Sequence, residues 1–525
     1  MIRKLNIIVQ TIKNKPTAQL ALIAGLSGFI YAAIFTLRFP LTRFYDTIPP
    51  LDYTKLTHYS TGGLFSYTAG IGVLFWLYIW AIRLAVPTGG QPSVVGRRFV
   101  FSSSAILAFI SIFSYPLTAI DLFIYAIRTR GWALYGLNPL LTAPETLPYT
   151  DPWIELAAEW LDAASPYGPV WEILSLGGYY LAGGNYLAHL FALKIVALFA
   201  YLGCLWLVYK TLQNLQPAWA VTGVIALGWS PLVLLESIQN GHNDIVMVFF
   251  LMGAVWALAK WTVKYQTTRP LIFDPWLLLV CLFLALSILV KFVTILIVPF
   301  FLIGIAMAYR QWWQRLASLV MYAAVTGGTV LLGMLPFWPG LDSWAVLEAG
   351  SAAGRSLIAL LVLSLRGWLG TNLAFDMARN LVMLIFAFIY LYYLGKTIYN
   401  LRGQRKLASP YLPRDPAHFY IPVAMAYFVL TWYVLLAVPV FHAWYLLWFI
   451  PLGIVLLPYH RGLIISTVFS MTALLVIPYF ETIRVWYPFL LENHLLGHII
   501  GVPLLILPPI AAMFWPISPA IDSEV

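Results

Sequence analysis

An all-α protein that crosses a membrane about fourteen times is what this sequence predicts, and three observations predict it. Of its 525 residues, 62% are hydrophobic and 10% charged, a balance that in water would leave an enormous apolar surface exposed. Apolar runs of spanning length follow one another along the chain. Lys and Arg collect in alternate loops, the asymmetry that a bilayer with a positive inner side imposes.

The first run, near residues 18–37, is longer than a signal-peptide core and no small-residue cleavage pattern follows, so it is expected to remain as an anchor. Runs near 64–86 and 100–120 come next. The longest stretch without a span, 121–186, is rich in Trp, Tyr and Leu and is expected to lie along the outer membrane surface. Within it, 151–164 has an Asp cap, Pro at the first helical position and apolar residues at helical spacing, which predicts an amphipathic surface helix. Runs near 187–209, 218–236 and 245–262 follow, the last two separated by Asn240-Gly241-His242-Asn243-Asp244. Five polar or backbone-permissive residues between two such segments mark a site at the membrane-water boundary.

The apolar stretch 277–305 is interrupted by Lys291 and reads as two short helices, 276–290 and 292–309. An isolated Lys at bilayer depth costs roughly 2.5–3.5 kcal/mol or more, so it either snorkels to the surface or meets an anion, for which a lipid phosphate is the natural choice. After a run near 316–336, a second outer or re-entrant region is expected at 337–379, where 356–369 is too short to cross comfortably. Runs near 381–399, 419–438, 443–458, 462–480 and 499–515 complete the set, and no soluble domain is appended to the single transmembrane domain 1–525.

With both termini inside, the loops at 3–15, 83–98, 210, 260–269, 310–315, 396–414 and 461 hold 19 of the 30 Lys and Arg. Only Asp274, Asp415, Asp522 and Glu524 join them among 20 acids. The net charge of +10 is therefore an orientation signal in a multi-pass cytoplasmic-membrane protein and no argument for nucleic acid. Cys204 and Cys281 lie inside apolar runs and read as small hydrophobes. The eight histidines show no metal-ligand spacing, so no metal or other cofactor is required, although Asp121 and Asp244 with a phosphate leave a divalent cation open.

Polar residues of the outer side supply the site candidates. Asp121 follows the third run, where a carboxylate suits general-base work. Gly136-Leu-Asn138-Pro139 and Ser165-Pro-Tyr167-Gly-Pro169 are turn chemistry when taken singly. His442-Ala443-Trp444-Tyr445 opens a span with amphipathic aromatics that form an interfacial belt or a sugar and lipid surface.

Taken in order, Asp121-Leu-Phe-Ile-Tyr125, Gly136-Leu-Asn-Pro139, Ser165-Pro-Tyr-Gly-Pro169, Ser230-Pro-Leu-Val-Leu-Leu-Glu236 with Asn240-Gly-His-Asn-Asp244, Leu289-Val-Lys291 and Ala443-Trp-Tyr-Leu-Leu-Trp448 resemble one family. It is that of the bacterial polyprenyl-phosphate-mannose-dependent α-1,6-mannopyranosyltransferases, integral membrane enzymes of the GT-C fold. The resemblance runs from about residue 115 to 460, and the Gly-His-Asn-Asp and Trp-Tyr-Leu-Leu-Trp elements weigh most. It departs from the pattern at Leu140, where an aromatic is usual, and at Ala443, often Ser or Pro.

The resemblance implies an inverting transfer of a sugar, mannose by preference, from a polyprenyl-phosphate donor to a glycan or glycolipid acceptor, with Asp121 as general base. Lys291, His242 and Asn243, with Arg128 and Arg355, become the expected donor-phosphate ligands. Tyr125, Asn138, Tyr167, Asp244, His442, Trp444 and Tyr445 become the expected sugar and lipid pocket, Asp244 fixing the loop or His242. Two other classes remain on the residues alone: a lipid-linked sugar flippase, which needs polar groups on both leaflets, and a non-catalytic envelope-assembly protein, indifferent to loss of Asp121.

Overall fold

The computed structural model describes residues 16–87, 95–156, 160–267, 271–338, 353–407 and 416–515. Regular structure among them is helical, apart from two isolated bridges that pair Pro40 with Ser114 and Gly354 with Val440. The helices used below are α1 (Pro16–Ile30), α2 (Thr61–Ala85), α3 (Arg97–Ile112), α4 (Asp121–Tyr135), α5 (Pro169–Leu181), α6 (Tyr186–Leu215) and α7 (Ala220–Gly228). The short α8 (Pro231–Val233) runs into a π-turn at Leu234–Gln239, and α9 (Asp244–Thr267), α10 (Pro275–Val290), α11 (Val298–Ala306) and α12 (Trp312–Met334) follow. The last are α13 (Leu357–Leu369), α14 (Thr371–Leu407), α15 (Ala417–Trp432), α16 (Ile450–Val455), α17 (Arg461–Ala473) and α18 (His494–Phe514).

Among the described residues nine helices are long and apolar enough to cross a membrane, or ten if Pro217–Gly228 and Pro231–Gln239, bent by 52°, make one broken span. Each apolar run read from the sequence holds a helix, and the chain is an integral membrane protein. The runs at 276–290, 292–309 and 443–458 give the shorter helices Pro275–Val290, Phe292–Ala306 and Ala443–Val455. Counting apolar residues overstates helix length there, because helix breakers and 3₁₀ turns such as Phe292–Ile297 interrupt the runs.

The run at 100–120 is helical only to Ile112. Beyond it the chain unwinds before Pro116, and its freed backbone groups find protein partners, as non-helical backbone at membrane depth requires. Tyr115 N–H donates to the Phe39 carbonyl (2.8 Å), Leu41 N–H donates to that of Phe113 (2.8 Å), and Lys194 Nζ donates to that of Ser114 (2.5 Å).

The amphipathic helix expected at 151–164 does not form; only the 3₁₀ turn Ile154–Leu156 is present, and 157–159 lie outside the described residues. The Asp151 carboxylate does accept from Trp153 N–H, as a cap would, but Arg130 Nε reaches both its oxygens (2.9 and 2.7 Å) and Tyr135 donates to it (2.7 Å). Trp153 is held beneath the Arg130 guanidinium, 4.6 Å from the ring centre. These partners from α4 tie the segment down as a buried turn. The surface helix of this loop is instead α5, which buries Trp171, Glu172, Ser175, Gly178 and Tyr179 at helical spacing and exposes Ile173, Tyr180 and Leu181.

At 337–379 the chain forms α13, capped by the Ser356 hydroxyl on Ala359 N–H (3.1 Å), while 339–352 lie outside the described residues, as do the basic termini 1–15 and the acids Asp415, Asp522 and Glu524. In the bundle, α9 packs between α6 and α10. Small residues permit close approach, since a Cβ at Gly462 would lie 2.9 Å from the backbone of Gly453. Lipid-facing α14 leaves Leu373, Met377, Leu381 and Leu384 half exposed along one stripe.

Candidate active site

The site assembles where three helix beginnings meet: α4 at Asp121, α9 at Asp244, and the 3₁₀ turn Ala443–Trp448. Gly241 brings the second of these in with φ +73°, a left-handed turn that avoids steric cost only for glycine. A Cβ there would sit 3.0 Å from Leu122 and 3.3 Å from Lys194. Lys194, fully buried, holds the preceding turn through the Gln239 carbonyl (2.5 Å).

Lys291 finds its anion inside the protein. Its Nζ donates to Asp244 Oδ1 (2.7 Å), which also accepts from Trp448 Nε1. The ammonium sits 5.4, 5.5 and 5.3 Å from the ring centres of Tyr167, Tyr445 and Trp448, a cation-π cage on three sides. Asp244 therefore holds Lys291, not His242 as expected. Its Oδ2 and both amide atoms of fully buried Asn243 have no hydrogen-bond partner within the described residues, which leaves a polar hollow beside the ammonium.

His242 is held on every side. Its Nδ1 lies 3.5 Å from the Tyr125 hydroxyl, which accepts from Tyr167 (3.4 Å), and its Nε2 faces Glu236 Oε2 at 3.4 Å, an ion-pair distance without hydrogen-bond alignment. The ring stacks on Trp444 (4.2 Å), and His442 stacks on Trp444 at 4.1 Å, giving an imidazole-indole-imidazole sandwich. Burial and the positive charges of Arg355, His242 and Lys291 push His442 well below the usual histidine range, so it is a neutral ring.

Asp121 is half-buried at the first turn of α4, with no hydrogen bond or ion pair to another described side chain. Tyr125 and Arg128 follow at i+4 and i+7, on its own face. Burial pushes the Tyr125 and Tyr167 hydroxyls well above the usual range, and the charges of Asp121 and Asp244 push them further, so both stay neutral donors. Among the described residues no three His, Cys, Asp or Glu side chains cluster as a metal site, and Asp244 Oδ1 is already engaged by Lys291 and Trp448.

Three candidates sit elsewhere. Asn138 is absorbed by its own turn, accepting from Leu140 N–H (3.0 Å) and donating to the Phe337 carbonyl (3.1 Å). Arg128, expected without a forced burial, is buried and donates to the carbonyls of Ala163 (3.0 Å) and Ala164 (3.4 Å). Arg355 lies at the far end of the sandwich, paired with Glu481 at 3.3 Å, and lines with Glu236, Thr118, His442 and Trp444 a hollow of about 20 Å³, room for one water.

Sequence reasoning missed Glu236, Thr118 and Trp448. Fully buried Glu236 accepts from Asn240 Nδ2 (2.7 Å) and Thr118 (3.3 Å), and Asn240 also donates to Thr118 (2.5 Å). The signal was a carboxylate in the last turn of an apolar run, one turn before the polar loop.

No curated protein matches the chain. Among solved structures it is similar to the Archaeoglobus fulgidus oligosaccharyltransferase, as its complex with Zn and sulfate (14% identity, 81% of this chain and 54% of that one, TM-score 0.40) and in the apo form (12%, 81% and 55%, 0.38). It is also similar to the archaeal oligosaccharyltransferase AglB from the same organism in complex with an inhibitory peptide and a dolichol-phosphate (13%, 81% and 57%, 0.39). The chain spans about half the length of these proteins. The family described as alpha-(1->6)-mannopyranosyltransferase, N-terminal domain, matches residues 22–310, which take in Asp121, Glu236, the Asn240–Asp244 loop and Lys291 and make up more than half of the sequence. The protein thus belongs to the alpha-(1->6)-mannopyranosyltransferase family.

Proposed function

We propose that this protein is an integral membrane glycosyltransferase that moves mannose from a polyprenyl-phosphate donor to a glycan or glycolipid acceptor on the outer face of the cytoplasmic membrane. The observation that carries the reading is the pairing of an unpartnered, half-buried carboxylate, Asp121, with the caged cation Lys291 across Tyr125 and Tyr167.

Asp121 accepts the proton of the acceptor hydroxyl as that oxygen attacks the anomeric carbon from the side opposite the phosphate, inverting the centre. The phosphate leaves as an anion and needs no proton, so one carboxylate suffices where a glycosidase uses two. Charge developing on the leaving oxygen is met by Lys291, whose position Asp244 and the three rings fix, and by the free amide of Asn243. Glu236 and Tyr125 fix the His242 ring, and Trp444 gives the sugar or the isoprene chain a flat partner.

Radiolabelled polyprenyl-phosphate-mannose and a short mannosyl acceptor, offered to the purified protein in nanodiscs, test this. Transfer is expected, and Asp121→Asn lowers kcat by roughly 10²–10⁴-fold while leaving donor binding intact. A folded Asp121→Asn variant that transfers at the wild-type rate removes Asp121 as base. No transfer by wild type with mannose, glucose or arabinose donors removes the enzyme reading in favour of the flippase or the scaffold.

A further inference from the structure

A second cleft, of about 600 Å³, opens between α13, α14 and α18 beside the site described above. Arg366, Arg379, Asn372, His494 and His498 line it, and α14 presents positions 372, 375, 376 and 379 to it, one helical face. Asp376 is the cleft's acid and binds Arg379 (3.0 Å), whereas Arg366 has no acidic partner among the described residues. A further cation stands behind, since Arg484 meets His494 Nδ1 at 3.1 Å and keeps a buried, unpartnered Nε. Such a concentration of arginine on a side rich in acids calls for an anion, and the guanidinium fork matches the oxygens of phosphate.

The next stripe of α14 around the helix, Leu373, Met377, Leu381 and Leu384, is exposed and apolar. A polar cationic cleft adjoining a lipid-facing stripe lies at headgroup depth, and an amphiphile would set its phosphate on the arginines and its chains along the leucines. The cleft also shares a wall with the first site. Residues 354–356 bind the strand leading to His442, through Phe441 N–H to the Gly354 carbonyl (2.9 Å) and Ser356 to the Pro439 carbonyl (2.5 Å). Arg355 N–H meets His498 Nε2 (3.5 Å) on the cleft side, while its guanidinium lines the hollow with His442.

We propose that this cleft binds the phosphate of a membrane-lipid headgroup and that it seats the phosphodiester of a lipid-anchored acceptor beside the reaction centre. The second part rests on the glycosyltransferase reading; the first does not. Two sources share the chemistry, bulk anionic phospholipid and the acceptor's own anchor, and the test separates them.

Binding of dihexanoyl phosphatidylglycerol and of inorganic phosphate is measured on the full chain in zwitterionic nanodiscs, for wild type, Arg366→Gln/Arg379→Gln and Asp376→Asn. The lipid should bind wild type, weaken by about tenfold or more in the double variant, and tighten in Asp376→Asn, which releases Arg379. Opposite shifts from two exposed sites cannot come from misfolding. Equal binding by all three forms, or phosphate binding as tightly as the lipid, overturns the headgroup site.

Transfer is then measured with a phosphodiester-anchored acceptor and with a soluble mannoside. The double variant should raise KM about tenfold for the anchored acceptor alone, with kcat and the donor KM unchanged. Unchanged KM despite lost lipid binding assigns the cleft to bulk phospholipid and overturns the acceptor role. Wild type that binds the lipid but transfers to neither acceptor refutes the enzyme reading and leaves the headgroup site standing.

Discussion

Lys291 and Asp244 stand 47 positions apart in the chain, yet each is the reason the other can be charged. Asp244 is fully buried and the Lys291 side chain is 15% exposed, so removing either alone leaves an uncompensated charge in a poorly solvated place. Lys291→Gln should lower stability by about 3 kcal/mol, measured as a fall in thermal midpoint in detergent, and Lys291→Gln/Asp244→Asn should recover part of that loss. Additive losses would dismiss the pair. Gly241→Ala is expected to cost at least ~1 kcal/mol from its left-handed backbone, with further loss from contact with Leu122. At this scale the sequence was partly legible. A lone Lys in an apolar stretch announced a missing anion, but only the fold could name Asp244 or bring up Trp448, 204 residues away from it.

Two carboxylates of the outer loop carry opposite pH signs. Burial pushes Glu172, on α5, up to about 7 from its ordinary 4.5, against the bond from Ser165 (2.6 Å) and the charge of Arg128. The folded state thus holds a proton that the unfolded chain has released, and stability falls as pH rises from 4.5 to about 7, then levels. Asp151 goes the other way: burial alone would raise it, but bonds from Trp153 N–H, Arg130 and Tyr135 prevail and hold it below its ordinary 3.8. Its contribution is complete above that value and is lost as pH falls through the lowered one. Thermal unfolding across about pH 3–8 should show Glu172→Gln abolishing the neutral-side slope and Asp151→Asn reducing the acid-side loss while lowering stability throughout. A Glu172→Gln profile that keeps the wild-type slope would refute the first assignment. The same loop shows why 151–164 was misread: its cap, proline and periodicity are local, whereas Arg130 and Tyr135 arrive from another element.

Across the whole molecule, the order of spans was readable because apolar length is a property of the chain in one dimension. Where helices stop was not, since α3 unwinds at Ile112 only because Phe39 and Lys194 are there to receive the freed backbone. Orientation remains a prediction from charge. The two native cysteines are buried, so introduced ones can be read against a low background. A membrane-impermeant maleimide on intact cells should label Arg366→Cys and spare Lys210→Cys, which reacts only after permeabilisation. The reverse pattern would place the site on the inner face. The π-turn Leu234–Gln239 bears on any attempt to splice this protein with a relative. A π-turn accommodates one residue more than an α-turn, so losing a single residue there would let an ordinary helix close and swing everything downstream by about 100°. Glu236 would then no longer face Asn240 and His242 even with every side chain kept, so a graft must carry 231–244 as one block of fixed length.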